Sequence, residues 1–404
     1  MGYRVVQLEL TNPLEPIQLR EDETGVGLVA RWHDRPIGFR LLKLSPADQL
    51  PTSELEAIAT EAFALPVLIA KAESELASAD PGPLPSLTIA ICTKDRAVRL
   101  SRLLTSLIAV RDRSPFPKTD ILVVDNASVD DATRAAAASF PGVRYVFEPK
   151  AGLNFARNAA LANATGDILA FLDDDVVVDS HWLDGLATAV RGAPDAGGFT
   201  GLVLPFRLDS EAQIAFEENG GFGRGFQRRA FYATSFGYPL HPSGAGLMGA
   251  GCNMAFDRAL LLQLGGFDDA LDTGSPLPGG GDLDIFYRVL RSGRPMIYEP
   301  AYAVYHEHRE TIDQLRRQYW TWGLGMMAFI IKSWRDDRAN RPQLRALMGW
   351  WLLHNTRLVL SAALRRDLRG FRFRVAEFVG GVQGYLGEYD RSLRRVAAIR
   401  SSHS

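Results

Sequence analysis

The sequence predicts an α/β fold on a mostly parallel sheet, and three observations carry that expectation. Continuously apolar runs at residues 87–91 (LTIAI), 121–124 (ILVV) and 168–172 (ILAFL) read as strands buried on both faces. Between the first two, Leu100, Leu103, Leu104 and Leu107 recur at helical spacing. Each run leads into polar residues, namely Thr93-Lys94-Asp95-Arg96, Asp125-Asn126 and Asp173-Asp174-Asp175. A βαβαβ order of this kind gathers polar groups at the carboxyl ends of its strands.

The elements follow in order. In residues 1–80, Val26, Leu28, Ala30 and Trp32 alternate with other residues, His33-Asp34-Arg35-Pro36 supplies a turn, and Ile37, Phe39 and Leu41 alternate again. That is a hairpin pattern. A helix is expected from Ser53, interrupted at Pro66, which lacks the N–H a helix needs. The PGPLP run makes 81–86 a stiff linker. Residues 87–309 hold the alternating strands and helices: a third strand at 143–147, a helix at 153–164, Gly-rich loops at 220–225 and 244–251, a helix at 282–292 and a strand at 296–304 running into His306-Glu307-His308. Residues 310–404 form a helical region with amphipathic helices at 312–334 and 344–364.

Composition narrows the function. With 404 residues, 47% hydrophobic, the chain is long enough for two or three domains at about 150 residues each. Its 45 Lys+Arg against 47 Asp+Glu, with 10% aromatic residues, exclude a disordered tail protein and argue against nucleic-acid binding. Two cysteines, Cys92 and Cys252, make neither a zinc cluster nor a disulfide framework, so a reducing, cytoplasmic compartment is expected. The opening MGYRVVQLELTNPLEP lacks a basic segment followed by an apolar stretch, so no export signal is expected. The longest apolar run, 346–364, is broken by His354, Asn355 and Arg357, which argues against a spanning helix. The balance hides an asymmetry: residues 309–404 carry 18 Lys+Arg and 8 Asp+Glu, a net of +10. Trp320, Trp322, Trp334, Trp350 and Trp351 accompany those arginines, which suits either peripheral contact with an anionic membrane face or a helical subdomain or dimer interface with tryptophan in its core.

Chemistry concentrates at the strand ends. Three adjacent carboxylates, Asp173, Asp174 and Asp175, repel one another after an apolar strand unless a cation neutralises them. Oxygen ligands there suit Mg²⁺ or Mn²⁺, which also takes ligands from a diphosphate; the competing reading is a solvated acidic loop. Strand alternation places Asp173 and Asp175 on one side and Asp174 on the other. Asp125 can accept a hydrogen bond from an imide N–H such as that of uracil, or serve only as a turn residue, while Ser128 is positioned to cap the next helix. Thr93 and Arg96 suit a nucleotide's base or phosphates, and Asp95 suits a helix N-cap. The loop through Gly152, with Arg157 and Asn158 one turn into the following helix, aims helix dipoles and a guanidinium at phosphate.

Six segments, LTIAICTKDR, ILVVDNASVD, KAGLNFARNAAL, GDILAFLDDDV, GAGCNMAFDRALLLQLGGFDDAL and GGGDLDIFYRVLRSG, resemble the successive motifs of family 2 glycosyltransferases over residues 84–309. The resemblance implies the GT-A fold, a nucleotide-binding mixed sheet flanked by helices. It also implies a UDP-, dTDP- or GDP-linked sugar donor, Mn²⁺ or Mg²⁺, and usually inversion at the anomeric carbon. Thr93 and Asp125 match base-binding positions, Asp173 the position near ribose and metal, and Asp175 the metal ligand. Asp282 matches the general base, although the Glu that usually precedes it is Gly281 here. His306 or His308 matches a further metal ligand, His306 the better candidate, and Arg309 a diphosphate partner. The helix at Gln314 to Trp320 lacks the Gln-x-x-Arg-Trp order of processive synthases, so transfer of a single sugar is expected, to a glycan, lipid-linked or small-molecule acceptor. A retaining transferase and a non-catalytic sugar-nucleotide sensor are the alternatives.

Overall fold

The computed structural model describes residues 2–76, 82–234, 243–274 and 277–403. The leading module holds β1 (Gly2–Glu9), β2 (Ile17–Gln18), β3 (Glu23–Trp32), β4 (Arg35–Lys43) and β5 (Gln49–Leu50). β1 pairs in parallel with β3, which turns back antiparallel onto β4. His33 and Asp34 carry the turn alone, with left-handed φ of 47° and 60°, the geometry whose twist matches a tight hairpin. Arg35 and Pro36 already pair within β4. The helix expected to break at Pro66 does not. α1 (Thr52–Ile58) passes through a π-helical turn at Ala59–Phe63 into α2 (Ala64–Leu76). The widened turn falls where proline removes a ladder hydrogen bond, so the chain continues past it.

The module docks on the body through a buried ion pair, Arg31 Nη1 to Asp179 Oδ2 at 2.7 Å, and through Val29 against Leu202, Leu204 and Ala303. The expected linker begins outside the described residues, and 82–86 has no regular structure.

The body begins with β6 (Leu87–Thr93), α3 (Ala97–Arg111), β7 (Thr119–Asn126), α4 (Ala132–Ala138), β8 (Val143–Glu148), α5 (Leu153–Asn163) and β9 (Ile168–Asp173). These four strands are parallel, in the order β9-β6-β7-β8. Then come β10 (Val176–Val178), α6 (Trp182–Gly192), β11 (Gly198–Pro205), α7 (Glu211–Glu218), β12 (Arg229–Phe231), β13 (Asn253–Asp257), α8 (Arg258–Gln263), α9 (Gly281–Arg291) and β14 (Met296–His306). Among the described residues the sheet has nine strands and is mixed rather than mostly parallel. β13 inserts antiparallel between β9 and β11, and β10 and β12 lie antiparallel to β14. A long excursion, not one crossover helix, separates β11 from β13, so nothing obliges β13 to run parallel.

Helices cover both faces. Leu100, Leu103 and Leu107 of α3 and Trp182 and Leu186 of α6 fill one side; Ala156 and Ala160 of α5, Leu261 of α8 and Ile285 and Phe286 of α9 fill the other. The C-terminal region is α10 (Ile312–Asp336), α11 (Arg341–Leu364), α12 (Leu368–Gln383) and α13 (Tyr389–Ser401). α10 and α12 cross at glycines, where a Cβ on Gly323 would overlap the Glu377 carbonyl and one on Gly380 that of Trp320. Among the described residues no helix is long and apolar enough to cross a membrane.

Candidate active site

The register of the parallel strands levels their ends. Thr93 pairs with Asp125 across β6 and β7, and Cys92 with Asp173 across β6 and β9. A cleft of about 1340 Å³ opens there, at the carboxyl edge where α/β sheets bind ligands.

The three aspartates all line this cleft, unlike the two-sided arrangement that alternation implies. β9 stops at Asp173, so the strand period no longer governs Asp174 and Asp175. Each has different partners. Asp174 is buried, accepts from the Thr93 hydroxyl at 2.7 Å and pairs with Arg96 Nη1 at 2.9 Å. Burial raises its carboxyl even so. Asp174 thus ties two strand-end loops together, and Thr93 and Arg96 reach the cleft through it.

Asp175 lies 3.2 Å from His306 Nε2 by its Oδ1 and 3.8 Å from Arg309 Nη1 by its Oδ2. Burial opposes its charge, but His306 and, further out, Arg309 and Arg96 hold the carboxyl well below the usual range. Asp173 keeps 37% of its side chain exposed to the cleft. Loss of hydration raises its carboxyl against the pull of Arg157.

A divalent cation fits this donor set. Asp175 Oδ1 is buried without a hydrogen-bond partner despite its nearness to His306, an orphaned acceptor of the kind an ion satisfies. Among the described residues no three His, Cys, Asp or Glu side chains converge on one point. A cation there would take one or two of these side chains and complete its shell from substrate phosphates.

His308 stands behind this set. Its Nε2 meets Glu217 Oε1 at 2.7 Å and its Nδ1 meets His306 Nδ1 at 3.2 Å, so Glu217 and His308 orient His306 toward Asp175. His308, the other expected metal ligand, has a side chain 1% exposed and does not line the cleft.

Asp282 faces the cleft at the start of α9. Its Oδ2 accepts from Gly251 N at 3.2 Å and its Oδ1 from Leu283 N at 2.9 Å. Gly280, in left-handed conformation, is the N-cap, and Asp282 lies in the first turn. Arg157 is buried beside it. Nη1 lies 3.1 Å from Asp272 Oδ2, and Nη2 lies 4.0 Å from Asp173 Oδ1. This guanidinium therefore joins the Asp282 end of the cleft to the acidic triplet. Asp284 is wholly buried, paired with Lys332 Nζ at 2.6 Å and Arg288 Nη2 at 2.7 Å.

The structure also places three other expected residues. Asp125 is 1% exposed, takes hydrogen bonds from Tyr145 Oη and Ser128 N, and leaves the cleft wall to Asn126. Asn158 turns away to Phe267 and Asp269, because it faces the loop after α8 rather than the strand ends. Gly152 does line the cleft, but its N–H is held by Asn126 Oδ1 and that of Leu153 by Asp272 O, so these two donors at the start of α5 are already engaged. Locally, Ser128 and Asp95 cap no helix. Asp95 N donates to Ser128 Oγ and Val129 N to Asp95 Oδ1, clasping the two loops.

Sequence reasoning missed Asn126, Arg224 and Asp272 in the wall, and Leu347, Trp350 and Trp351 at its far end. Asn126 had a usable signal, being one residue beyond a strand-end aspartate. The others reach the cleft from loops and helices distant in sequence. The tryptophans divide: Trp351 is buried, Trp322 and Trp350 are 36% and 47% exposed, and Arg341 and Arg345 stack over Trp334.

Residues 88–232 match the model of glycosyl transferase family 2. The chain is 28% identical over 293 residues to polypeptide N-acetylgalactosaminyltransferase 11 of Xenopus tropicalis, covering 66% of this chain and 46% of that protein. It is 27% identical over 281 residues to pre-mycofactocin glycosyltransferase of Mycobacterium tuberculosis, covering 66% and 52%. The chain thus spans about half the length of these curated relatives. A mannosyltransferase from Pyrobaculum calidifontis, solved in complex with GDP-Man and Mn²⁺, superposes with a TM-score of 0.50 at 20% identity, over 81% of this chain and 97% of that one. With the mixed sheet and the strand-end cleft, these likenesses give the body the GT-A fold, and residues 88–232 are similar to glycosyl transferase family 2.

Proposed function

We propose that the protein transfers one sugar from a nucleoside-diphosphate sugar to an acceptor hydroxyl, with inversion. The observation that carries this is the meeting of Asp173, Asp175, His306 and Asp282 around one cleft, with Arg96, Arg157 and Arg309 in its wall. Asp175 and His306 would hold Mn²⁺ or Mg²⁺, with Asp173 beside them facing the cleft, and the ion would supply charge neutralisation for the departing diphosphate. Arg96 and Arg309 add fixed positive charge on the same side. Thr93 and Asn126, which line the cleft, would meet the nucleotide, with Asp125 buried behind them. Asp282, on the rigid first turn of α9, takes the acceptor's proton as the glycosyl bond breaks.

The acceptor end turns apolar at Met326, Leu347, Trp350 and Trp351. From Trp350 an exposed stripe continues along one face of α11 through Leu353, Leu360 and Leu364, about 21 Å at helical rise. Exposed Arg345 and Arg357 accompany it. This favours an acceptor with an apolar portion, presented at an anionic membrane face. Flotation with phosphatidylcholine–phosphatidylglycerol vesicles tests this part. Binding lost in Leu353→Ser/Leu360→Ser supports it, and a stable dimer with no vesicle binding refutes it.

The transfer itself is tested by thermal shift with UDP, dTDP and GDP, with and without Mn²⁺, followed by nucleoside diphosphate release by wild type and Asp282→Asn. Metal-dependent stabilisation with release abolished in the variant is expected. Binding without turnover marks a sensor, and retained anomeric configuration by NMR removes Asp282 from the role of base.

A further inference from the structure

We infer that Asp272 is a positioning residue: it supplies a second carboxylate beside Asp282 and orients the acceptor hydroxyl, from the space a side chain at position 281 would otherwise fill. The inference rests on the transferase reading above and names a group which that reading does not use.

The geometry at Gly281 is restrictive. A Cβ there would overlap Asp272 Oδ2 and lie 2.6 Å from Asn154 Nδ2. Position 281 is therefore glycine as long as Asp272 and Asn154 hold their places, and a carboxylate reaches the mouth of α9 from the preceding loop instead. Asp272 holds a left-handed φ of 55°. A non-glycine residue keeps that conformation when its surroundings fix it, commonly at functional sites.

The two carboxylate oxygens differ. Oδ2 is occupied, accepting from Gly281 N and Arg157 Nη1, each at 3.1 Å. Oδ1 takes no hydrogen bond from any described residue, and the side chain, 14% exposed, lines the cleft. One oxygen is thus anchored and the other is available to a hydroxyl, the arrangement that fixes a substrate group without moving the protein. Through Arg157 the same anchor reaches Asp173, so acceptor and donor ends share one rigid link.

The competing role, mere counterion to Arg157, is separated by kinetics. Nucleoside diphosphate release is measured from UDP-, dTDP- and GDP-linked sugars with Mn²⁺, with and without octyl glycosides as acceptors, for wild type, Asp272→Asn, Asp272→Glu and Asp282→Asn. Asp272→Asn is expected to raise the acceptor KM about tenfold with the donor KM within about twofold. If Asp272→Asn melts early, Asp272→Glu, which keeps the charge on Arg157 but displaces the free oxygen, reports the same acceptor KM. Unchanged acceptor KM in the folded variant, or equal loss of donor and acceptor binding, overturns the inference and leaves the transferase reading standing on an inactive Asp282→Asn. A wild type that releases no nucleoside diphosphate refutes the transferase reading, and this inference falls with it.

Discussion

Replacing Asp284 by Ala should destabilise the protein more than removing either of its partners. Asp284 sits two residues after Asp282 on α9, wholly buried, with Lys332 Nζ at 2.6 Å and Arg288 Nη2 at 2.7 Å. Removing one partner of a buried pair costs about 3–5 kcal/mol, because the other charge stays buried without compensation. Here Lys332 retains Asp336 at 3.3 Å, a mostly exposed carboxylate. Arg288 retains the carbonyls of Leu264 and Gly266. The lower end, about 3 kcal/mol, therefore applies to Asp284→Ala. At roughly 2–4 °C per kcal/mol for a domain of 150–250 residues, the melting temperature falls by on the order of 10 °C. Lys332→Met leaves Asp284 with Arg288 and costs less, about 1–2 kcal/mol. Asp284→Leu/Lys332→Met, which removes both charges, recovers most of the Asp284→Ala loss. Calorimetry on the four proteins decides it. If Lys332→Met melts as low as Asp284→Ala, or the double variant no higher, the network does not anchor α9 as described.

Other outcomes follow from the same physics. Glu217→Gln loosens His308 and through it His306, so the Mn²⁺ Kd measured with bound nucleoside diphosphate should rise about 10–100-fold, and an unchanged Kd would remove the Glu217–His308 support. For Asp337, burial raises the carboxyl, but hydrogen bonds from Arg291 and Tyr287 outweigh it and hold the pKa below the ordinary value. The stabilisation is therefore complete at neutral pH and declines as pH falls below about 4, so the gap in melting temperature between wild type and Asp337→Asn should narrow between pH 7 and pH 3. Arg31→Ala strands buried Asp179 at the docking face of the leading module, and limited proteolysis should then attack residues 2–76 before the rest; uniform resistance would place the docking energy elsewhere.

Much of this molecule was legible from local pattern. A strand buried on both faces leaves a short apolar run whatever packs on it, so 87–91, 121–124 and 168–172 announced themselves, together with the polar residues that follow. The helix at 282–292 and a turn within His33-Asp34-Arg35-Pro36 were legible for similar reasons, since period and turn chemistry are properties of neighbouring residues. Where β9 ends was less so. One residue decides whether Asp174 obeys the strand's alternation, and that depends on β10 pairing with β14.

By itself, then, the sequence determined the layered α/β core, the acidic strand end and the aspartate at the mouth of α9, because each is written within a dozen consecutive residues. Tertiary structure alone decided that β13 runs antiparallel through the middle of the sheet, that His306 rather than His308 faces Asp175, that Asn126 takes the wall in place of Asp125, and that Asp272 fills the space Gly281 leaves. Each of these choices depends on which distant segment occupies a shared volume. Close packing allows one side chain there, and no periodicity in the chain records which one it is.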